Sequence, residues 1–311
     1  MKDSEDFDES LPQSWNELID EFGEIKQKKR KKRKHSHSNE PSNHLKDPGQ
    51  RWKWMVEPKY KQMFNEIEQK IQGAIGTGKF EWVDRRVFDQ VFDRMTLLGV
   101  YKLMTNGEID QINWPIARGK EAHVFHGQGV NGVIAVKIFH TSNAVFKNLI
   151  KYIEGDPRFG GLKRKHRDLV TVWVRKEHRN LLRMRNCGLR VPEPLAIYQN
   201  ILVMSYIGTQ EKPAPRLRDV KIDNPKEVFE DLKNFIRICW KDAKLVHADF
   251  SDYNILWHEN SPIVIDVGQA VSSKHPHAKE FLVRDVQRLI DWAKRQNLDV
   301  ELAETLYDIL N

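Results

Sequence analysis

The spacing of apolar positions changes character several times along the chain. In "YKQMFNEIEQKI", Met63, Phe64, Ile67 and Ile71 recur every three or four residues. That period puts them on one helical face and predicts an amphipathic helix over 60–72, ending near Gly73. A second helical pattern covers "DRRVFDQVFDRMTLLGVYKLMTNG" as far as Gly107. Alternation then takes over: "WPIA", "AHVFHG" and "GVIAVKIF" read as three short strands punctuated by Gly119, Gly127 and Gly132. The helical period returns over 168–186, and "LAIYQ" with "ILVMSYIG" predicts two strands around a turn at Asn200. Beyond Gly208 the pattern gives helices over 226–244, 276–296 and 300–310, interrupted by short strands in "YNILW" and "PIVIDV". The expected class is α+β, with a small antiparallel β lobe carrying one helix and then a mainly helical lobe.

Composition adds a tail to this picture. The chain has 311 residues, 40% of them hydrophobic, and a formal charge of +7 that is unevenly spread. Residues 1–24 are acid-rich, and "KQKKRKKRKHSHS" then sets eight Lys and Arg between Lys26 and Lys34. Such a block repels itself and cannot bury a core. It reads as a solvated tail, or as an arm for nucleic-acid phosphates or a nuclear-import signal. The expected division is a tail over 1–50, a helical extension over 51–112, an N-lobe over 113–207 and a C-lobe over 208–311. No apolar run reaches the roughly 18 residues that span a bilayer, and the acidic start lacks a signal-peptide core, so a cytoplasmic, reducing setting without a membrane partner is expected. Cys187 and Cys239, which lack a C-x-x-C spacing, fit buried thiols better than a disulfide or metal site.

The stretch "GAIGTGKF", Gly73 to Phe80, is one residue short of a phosphate-cradling loop. Such a loop follows a strand, opens a helix and ends in a hydroxyl that binds Mg²⁺. Here it follows a predicted helix and ends in Phe80, so it reads as a helix end or linker.

The chemistry concentrates in "LVHADFSDYNILWHENSPIVIDVG", where apolar runs enclose His247, Asp249, Asn254 and Asp266. Carboxylates between strand-like runs need compensation, and a metal ion supplies it. The order D-x-x-x-x-N and then D matches a kinase catalytic loop. In that loop the first Asp orients the attacking hydroxyl, and the Asn and second Asp hold Mg²⁺ against the phosphates. Hard oxygen ligands of this kind suit Mg²⁺ or Mn²⁺ rather than zinc. Upstream, "AVKIF" puts Lys137 on the third strand, where kinases carry their phosphate lysine, and "VRKEHRNLL" puts Glu177 on the next helix as its partner. "GKEAHVFHG" offers Gly119 and Lys120 but no G-x-G-x-x-G.

With that departure, with "HAD" in place of H-R-D and with "IDVGQ" in place of D-F-G, the chain resembles the RIO atypical kinases, type-one branch. The resemblance runs from about Val91 to Asn311, roughly seven-tenths of the chain. It is carried in order by "VFDRMTLLGVYKLMTNGEID", "GKEAHVF", "AVKIF", "KEHRNL", "VMSYIG", "PAP", "LVHADFSDYNIL", "IDVGQAV" and "HPHAKEFL". It implies a bilobal protein-kinase-like fold, with ATP and Mg²⁺ as cofactors and Asp249 as the catalytic carboxylate. Asn254 and Asp266 would be metal ligands, Lys137 the phosphate lysine, and Asp266 the acceptor of an aspartyl-phosphate during ATP hydrolysis. Backbone groups of Ser205 and Ile207 would meet adenine, with Met204 behind it, and Gly119, Lys120 and Glu121 would form the phosphate loop. That loop usually begins S-T-G-K-E-A-N-V and reads "ARGKEAHV" here, with Ala117, Arg118 and His123 as departures. Residues 142–167 resemble the family's flexible loop, with no Ser or Thr after Ser142 for autophosphorylation.

The resemblance further implies a serine/threonine protein kinase or ATPase acting in maturation of the small ribosomal subunit, with a pre-ribosomal particle and its rRNA as partners and a protein as substrate. Two other classes share parts of the pattern: small-molecule phosphotransferases of the aminoglycoside or choline kinase type, and an ATP-sensing ribosome-binding scaffold. Three features read more simply. His275 and His277 suit a helix cap and packing around Pro276. Trp52 and Trp54 suit docking or base stacking equally. The cluster from Lys163 to Arg167 suits a solvated loop.

One expectation is testable at once. Lys79→Ala should leave ATP affinity unchanged in an equilibrium binding titration, since neither a strand nor a metal-binding hydroxyl accompanies that lysine. A tenfold loss, about 1.4 kcal/mol, would restore "GAIGTGKF" as a phosphate loop.

Overall fold

The structure, a computed structural model, describes residues 91–141, 150–159 and 166–311, with helical positions at 63, 66, 67 and 69–71. The terminal tail, "GAIGTGKF", Trp52, Trp54 and the run from Lys163 to Lys165 lie outside the described residues. The chain divides into two units, Met1–Gln69 and Lys70–Asn311. Every element named below belongs to the second.

Five strands form one antiparallel sheet: β1 (Gln111–Arg118), β2 (Ala122–Gly129), β3 (Gly132–Phe139), β4 (Pro194–Tyr198) and β5 (Ile201–Ser205), in the spatial order β1-β2-β3-β5-β4. Pro115 can stand in β1 because that strand is an edge, and the register shifts on either side of it. Gly127 does not end β2 as the sequence suggested, for the strand continues to Gly129. A Cβ at Gly127 would lie 2.7 Å from the Gln111 carbonyl, so the residue allows the edge strand to approach.

Two helices flank the sheet. Asp93 caps α1 (Arg94–Thr105) by accepting from the Thr96 N–H at 2.8 Å. The long α2 (His166–Asn186) follows β3 in sequence and packs on β4 and β5. Asn200, in the β4–β5 turn, is buried; its Nδ2 donates to Thr96 Oγ1 and the Phe139 carbonyl and so ties α1 to the sheet.

In the helical part, α3 (Pro225–Lys241) starts at an Asn224 cap with Pro225 in the first turn. It packs on α4 (Ala278–Arg295) and α5 (Leu302–Leu310). Buried Phe229, Leu232, Phe235 and Ile236 face buried positions of α4 such as Leu282, Val286 and Leu289 across this core. The last turn expected of α3, out to 244, is absent. Lys244 takes a positive φ of 51°, and the chain enters β6 (Leu245–Val246), which pairs with β9 (Val271–Ser272). A two-residue ladder leaves no periodicity to read.

Between them lies the hairpin of β7 (Ile255–His258) and β8 (Ser261–Val264), with Glu259 and Asn260 both at positive φ in its two-residue turn. The strand expected in "PIVIDV" stops at Val264, so Asp266 lies beyond it in the left-handed region, φ 59° and ψ 55°. Among the described residues no helix is long and apolar enough to cross a membrane. Cys239 is buried and Cys187 half-buried, both as free thiols.

Candidate active site

β3 carries Lys137 inward, and its ammonium is met from two sides. Nζ donates to Glu177 Oε1 of α2 at 2.6 Å and to Asp266 Oδ1 at 2.8 Å. Lys137 and Glu177 are buried, whereas the Asp266 side chain is 46% exposed and stands at the edge of the site. Burial pulls the Lys137 pKa down, but the two carboxylates outweigh it and the net shift is upward. Lys137 in turn holds Asp266 below its usual value against the effect of burial. Burial raises Glu177, and its Oε2 has no hydrogen-bond partner.

The catalytic loop faces this trio. Asn254 Nδ2 donates to the Asp249 carbonyl at 2.9 Å and to Asp249 Oδ2 at 3.1 Å, and Gln269 Nε2 reaches the same oxygen at 3.3 Å. With its nitrogen committed to Asp249, Asn254 offers its amide oxygen to a cation. Burial raises Asp249, and the nearby charge of Asp266 raises it further, which makes it a better proton acceptor. His247 is buried and held down at about 4 by burial, so it is neutral at physiological pH. Its Nδ1 accepts from the Asp249 N–H at 3.3 Å, leaving Nε2 to donate to the Ile265 carbonyl, also at 3.3 Å.

Asp249 depends on a residue that the sequence reading did not single out. Asp285 of α4 accepts from the Ala248 N–H at 2.7 Å and the Phe250 N–H at 3.1 Å, clamping the loop on both sides of Asp249. Arg284 donates to the Ala248 carbonyl. Burial pushes the Asp285 carboxyl up to about 7 although both N–H donors pull it down. The available signal was a carboxylate among the apolar positions of "FLVRDVQRLI".

The phosphate loop closes through a Gly119 N–H bond to the Ala122 carbonyl, 2.9 Å. Lys120 at its tip is exposed, whereas Glu121 is half-buried. Burial first, and then the charge of Asp266, pushes Glu121 up to about 7. His123, where the resembling family has Asn, is buried and shares a 3.0 Å ring-nitrogen hydrogen bond with His140.

At the hinge, Met204 pairs with Ala135 of β3. The Ser205 N–H is taken by the Glu193 carbonyl and the Ile207 carbonyl by the Ala214 N–H. With those two groups engaged, the Ser205 carbonyl and the Ile207 N–H are the ones that could meet the edge of a base. Far from these groups in sequence, His275 is buried with Nε2 3.0 Å from the Glu154 carbonyl and Nδ1 accepting from the His277 N–H, a packing arrangement.

Among the described residues no three His, Cys, Asp or Glu side chains gather closely enough to hold a metal ion by themselves. Mg²⁺ keeps waters and binds through one or two carboxylates together with substrate phosphates. Asp266 and the Asn254 amide oxygen could contribute to such a donor set.

The RIO domain model matches residues 123–306. The chain is 39% identical over 226 residues to the RIO-type serine/threonine-protein kinase Rio1 of Haloferax volcanii, covering 72% of this chain and 77% of that one. It is 39% identical over 232 residues to the serine/threonine-protein kinase RIO1 of Homo sapiens, covering 73% of this chain but 41% of the human protein. The match thus spans only about two-fifths of the human relative's length. A solved Rio2 kinase–ADP/Mg²⁺–phosphoaspartate complex from Chaetomium thermophilum superposes with a TM-score of 0.52 at 22% identity, over 68% of this chain and 63% of that one, a likeness of fold.

The burial of Glu121 predicts a pH dependence. Its carboxyl binds a proton more tightly folded than unfolded, so the associated stability is full below about pH 4.5 and is lost as pH rises through about 7. Glu121→Gln should therefore match the parent protein near pH 4.5 and be the more stable of the two at pH 7.5, measured by urea unfolding. A difference that does not change with pH would contradict this placement.

Proposed function

The chain belongs to the RIO family, and from that premise we propose that it is an ATP-dependent serine/threonine protein kinase or ATPase. One observation carries the reading: Lys137 bridges Glu177 and Asp266 while Asp249, fixed by Asn254, stands ready beside them. This is the division of labour that phosphoryl transfer needs, with positioning and charge stabilisation on one side and a proton acceptor on the other.

In this reading the Ser205 carbonyl and Ile207 N–H bind adenine, and Lys137 and the loop at Gly119, Lys120 and Glu121 hold the phosphates. Asp266 and Asn254 would hold Mg²⁺, or Mn²⁺ with the same preference for oxygen, which would neutralise phosphate charge. Asp249 orients an attacking hydroxyl and accepts its proton as the bond between the γ-phosphorus and ADP breaks. In the ATPase cycle an Asp266 carboxylate oxygen forms the new bond to the γ-phosphorus, ADP leaves, and water then releases phosphate. The Chaetomium thermophilum complex, with its phosphoaspartate, lends this route support by analogy.

The physiological setting proposed is the maturing small ribosomal subunit, with rRNA contacted by the arm from Lys26 to Lys34. The high local charge of that arm supports it. The setting is cytoplasmic, and the same run is suited to direct nuclear import.

Two measurements test the proposal. Lys137→Ala should weaken ATP binding tenfold or more, about 1.4 kcal/mol, whereas Asp249→Ala should spare binding and lower single-turnover hydrolysis by about 10²–10⁴-fold. Equal loss of affinity in both variants would contradict the separate roles. Binding without turnover in the parent protein would favour an ATP-sensing scaffold. For the arm, deleting residues 1–45 should leave ATP turnover intact and flatten the dependence of log RNA affinity on log salt by about 0.7–0.9 per lost phosphate contact. Coincident slopes for the full-length and shortened proteins would remove the arm from RNA binding.

A further inference from the structure

The segment that follows Asp266 is held almost entirely from behind. Lys176, fully buried on α2, donates through Nζ to the Gly268 carbonyl at 2.6 Å and the Ala270 carbonyl at 2.5 Å. One turn further on, buried Asn180 donates through Nδ2 to the Val267 carbonyl at 2.8 Å and the Ala270 carbonyl at 3.0 Å. Gly268 packs so closely on α2 that a Cβ there would lie 2.9 Å from Trp173 Nε1 and 3.0 Å from Glu177 Oε2.

Behind α2 stands a second layer, from the connection between β3 and α2. Asp156 is 2% exposed. Its Oδ1 accepts from Arg158 N–H and Nε at 3.1 and 2.9 Å, and its Oδ2 accepts from Arg158 Nη2 at 2.7 Å. The same Oδ2 takes the Ser272 N–H at 3.2 Å. The Arg158 fork then donates through Nη1 to Asn180 Oδ1 at 2.8 Å, which turns the Asn180 amide so that its NH₂ faces the loop carbonyls. Nη2 also approaches the Ala270 carbonyl at 3.4 Å. The segment is seated by buried Tyr152, whose ring lies against Trp173 and Phe281, and by the bond between the Glu154 carbonyl and His275.

We propose that Asp156 and Arg158 are positioning residues for phosphoryl transfer: through Asn180 and the Ser272 N–H they fix the 267–272 backbone and thereby hold Asp266 in its left-handed, metal-bearing conformation. A non-glycine residue in that region is strained by about 1–2 kcal/mol relative to helical backbone and keeps it only when its surroundings dictate it. Here three carbonyls within four residues of Asp266 are captured from one side, so the loop cannot relax without breaking bonds to buried donors. Lysine cannot replace Arg158 in this role, because a point charge cannot serve the Asp156 carboxylate bidentately and also reach Asn180. The proposal rests on Asp266 as a metal-bearing carboxylate, the reading given above.

The test compares the full-length parent protein with Arg158→Lys and with the double variant Asp156→Asn/Arg158→Met, which leaves no unpaired buried charge if the single variant fails to fold. Amide hydrogen exchange of residues 266–272, without nucleotide, is measured alongside the Mg²⁺ concentration that half-saturates ATP turnover. The expected result is faster exchange confined to 266–272 and a rise in that Mg²⁺ concentration of about tenfold to hundredfold, the usual effect of removing support behind a metal ligand, with the hinge region unchanged in exchange. Exchange and Mg²⁺ dependence equal to the parent's in both variants would overturn the proposal. So would a fall in turnover at unchanged Mg²⁺ dependence, which marks a merely structural role. Asp266→Asn serves as the control: turnover surviving that change would overturn the metal-site reading, and the proposal with it, whatever the exchange data show.

Discussion

A buried ammonium needs compensation, and in this chain Lys137 is where the three parts of the site are tied together. Its partners come from α2 and from the turn after β8, and they approach within 2.6 and 2.8 Å. Breaking a buried pair by removing one partner costs about 3–5 kcal/mol, because the other charge is left in a poor solvent. The sheet, α2 and the Asp266 turn are therefore bound to one another by the same group that would meet a phosphate. Two carboxylates against one ammonium leave a residual negative charge, and Asp249 and Glu121 add to it. The carboxyls of Glu177, Asp249 and Glu121 are all shifted upward, each first by burial and then by the neighbouring charge of Asp266 among others. A divalent ion held at Asp266, as proposed above, would offset that charge.

The fold was legible wherever burial imposes a period. The five strands of the sheet, α2 and the three later helices stand where alternation or the 3.6-residue repeat put them, with ends displaced by a few residues. The failures share a cause. Gly127 was read as a break because glycine usually interrupts strands, yet here it admits the Gln111 carbonyl from across the sheet, a tertiary demand with no local trace. The β6–β9 ladder joins distant residues, Leu245 with Ser272 and Val246 with Val271, through two positions each, too few to form a pattern. "PIVIDV" looked like a strand through Asp266 because its apolar run continues, whereas the carboxylate needed a left-handed turn at that point.

The site divides in the same way. Lys137, Glu177, Asp249, Asn254 and Asp266 drew notice because phosphoryl transfer uses those residue types at known intervals, and the structure links Lys137 to Glu177 and Asp266, and Asn254 to Asp249. Asp285, Lys176, Asn180, Asp156 and Arg158 were not singled out by the sequence: the first three grip backbone groups, which carry no side-chain identity, and the last two act largely through each other and Asn180. Each left only a weak sign, a polar residue on an otherwise apolar face or a charged pair in a loop. Such signs are common, since buried polar residues are normally satisfied by whatever backbone lies nearby.

Those quieter residues explain how the half-buried Asp249 and the exposed Asp266 stay in place. In the roles proposed for them Asp249 and Asp266 meet substrate and metal, so neither can be packed into position from the front. The solution is the same for both. Asp285 takes the N–H groups flanking Asp249, and Lys176 with Asn180 takes the carbonyls that follow Asp266. Both grips come from residues on long helices that also bury apolar side chains, such as Leu282, Val286 and Leu289 on α4 and Trp173, Val174 and Leu181 on α2. Their polarity is complementary: a carboxyl group holds the donors of one loop, and a lysine nitrogen and an amide hold the acceptors of the other. The two carboxylates borrow rigidity from residues more deeply buried than themselves, Asp285 behind one and Lys176 with Asn180 behind the other.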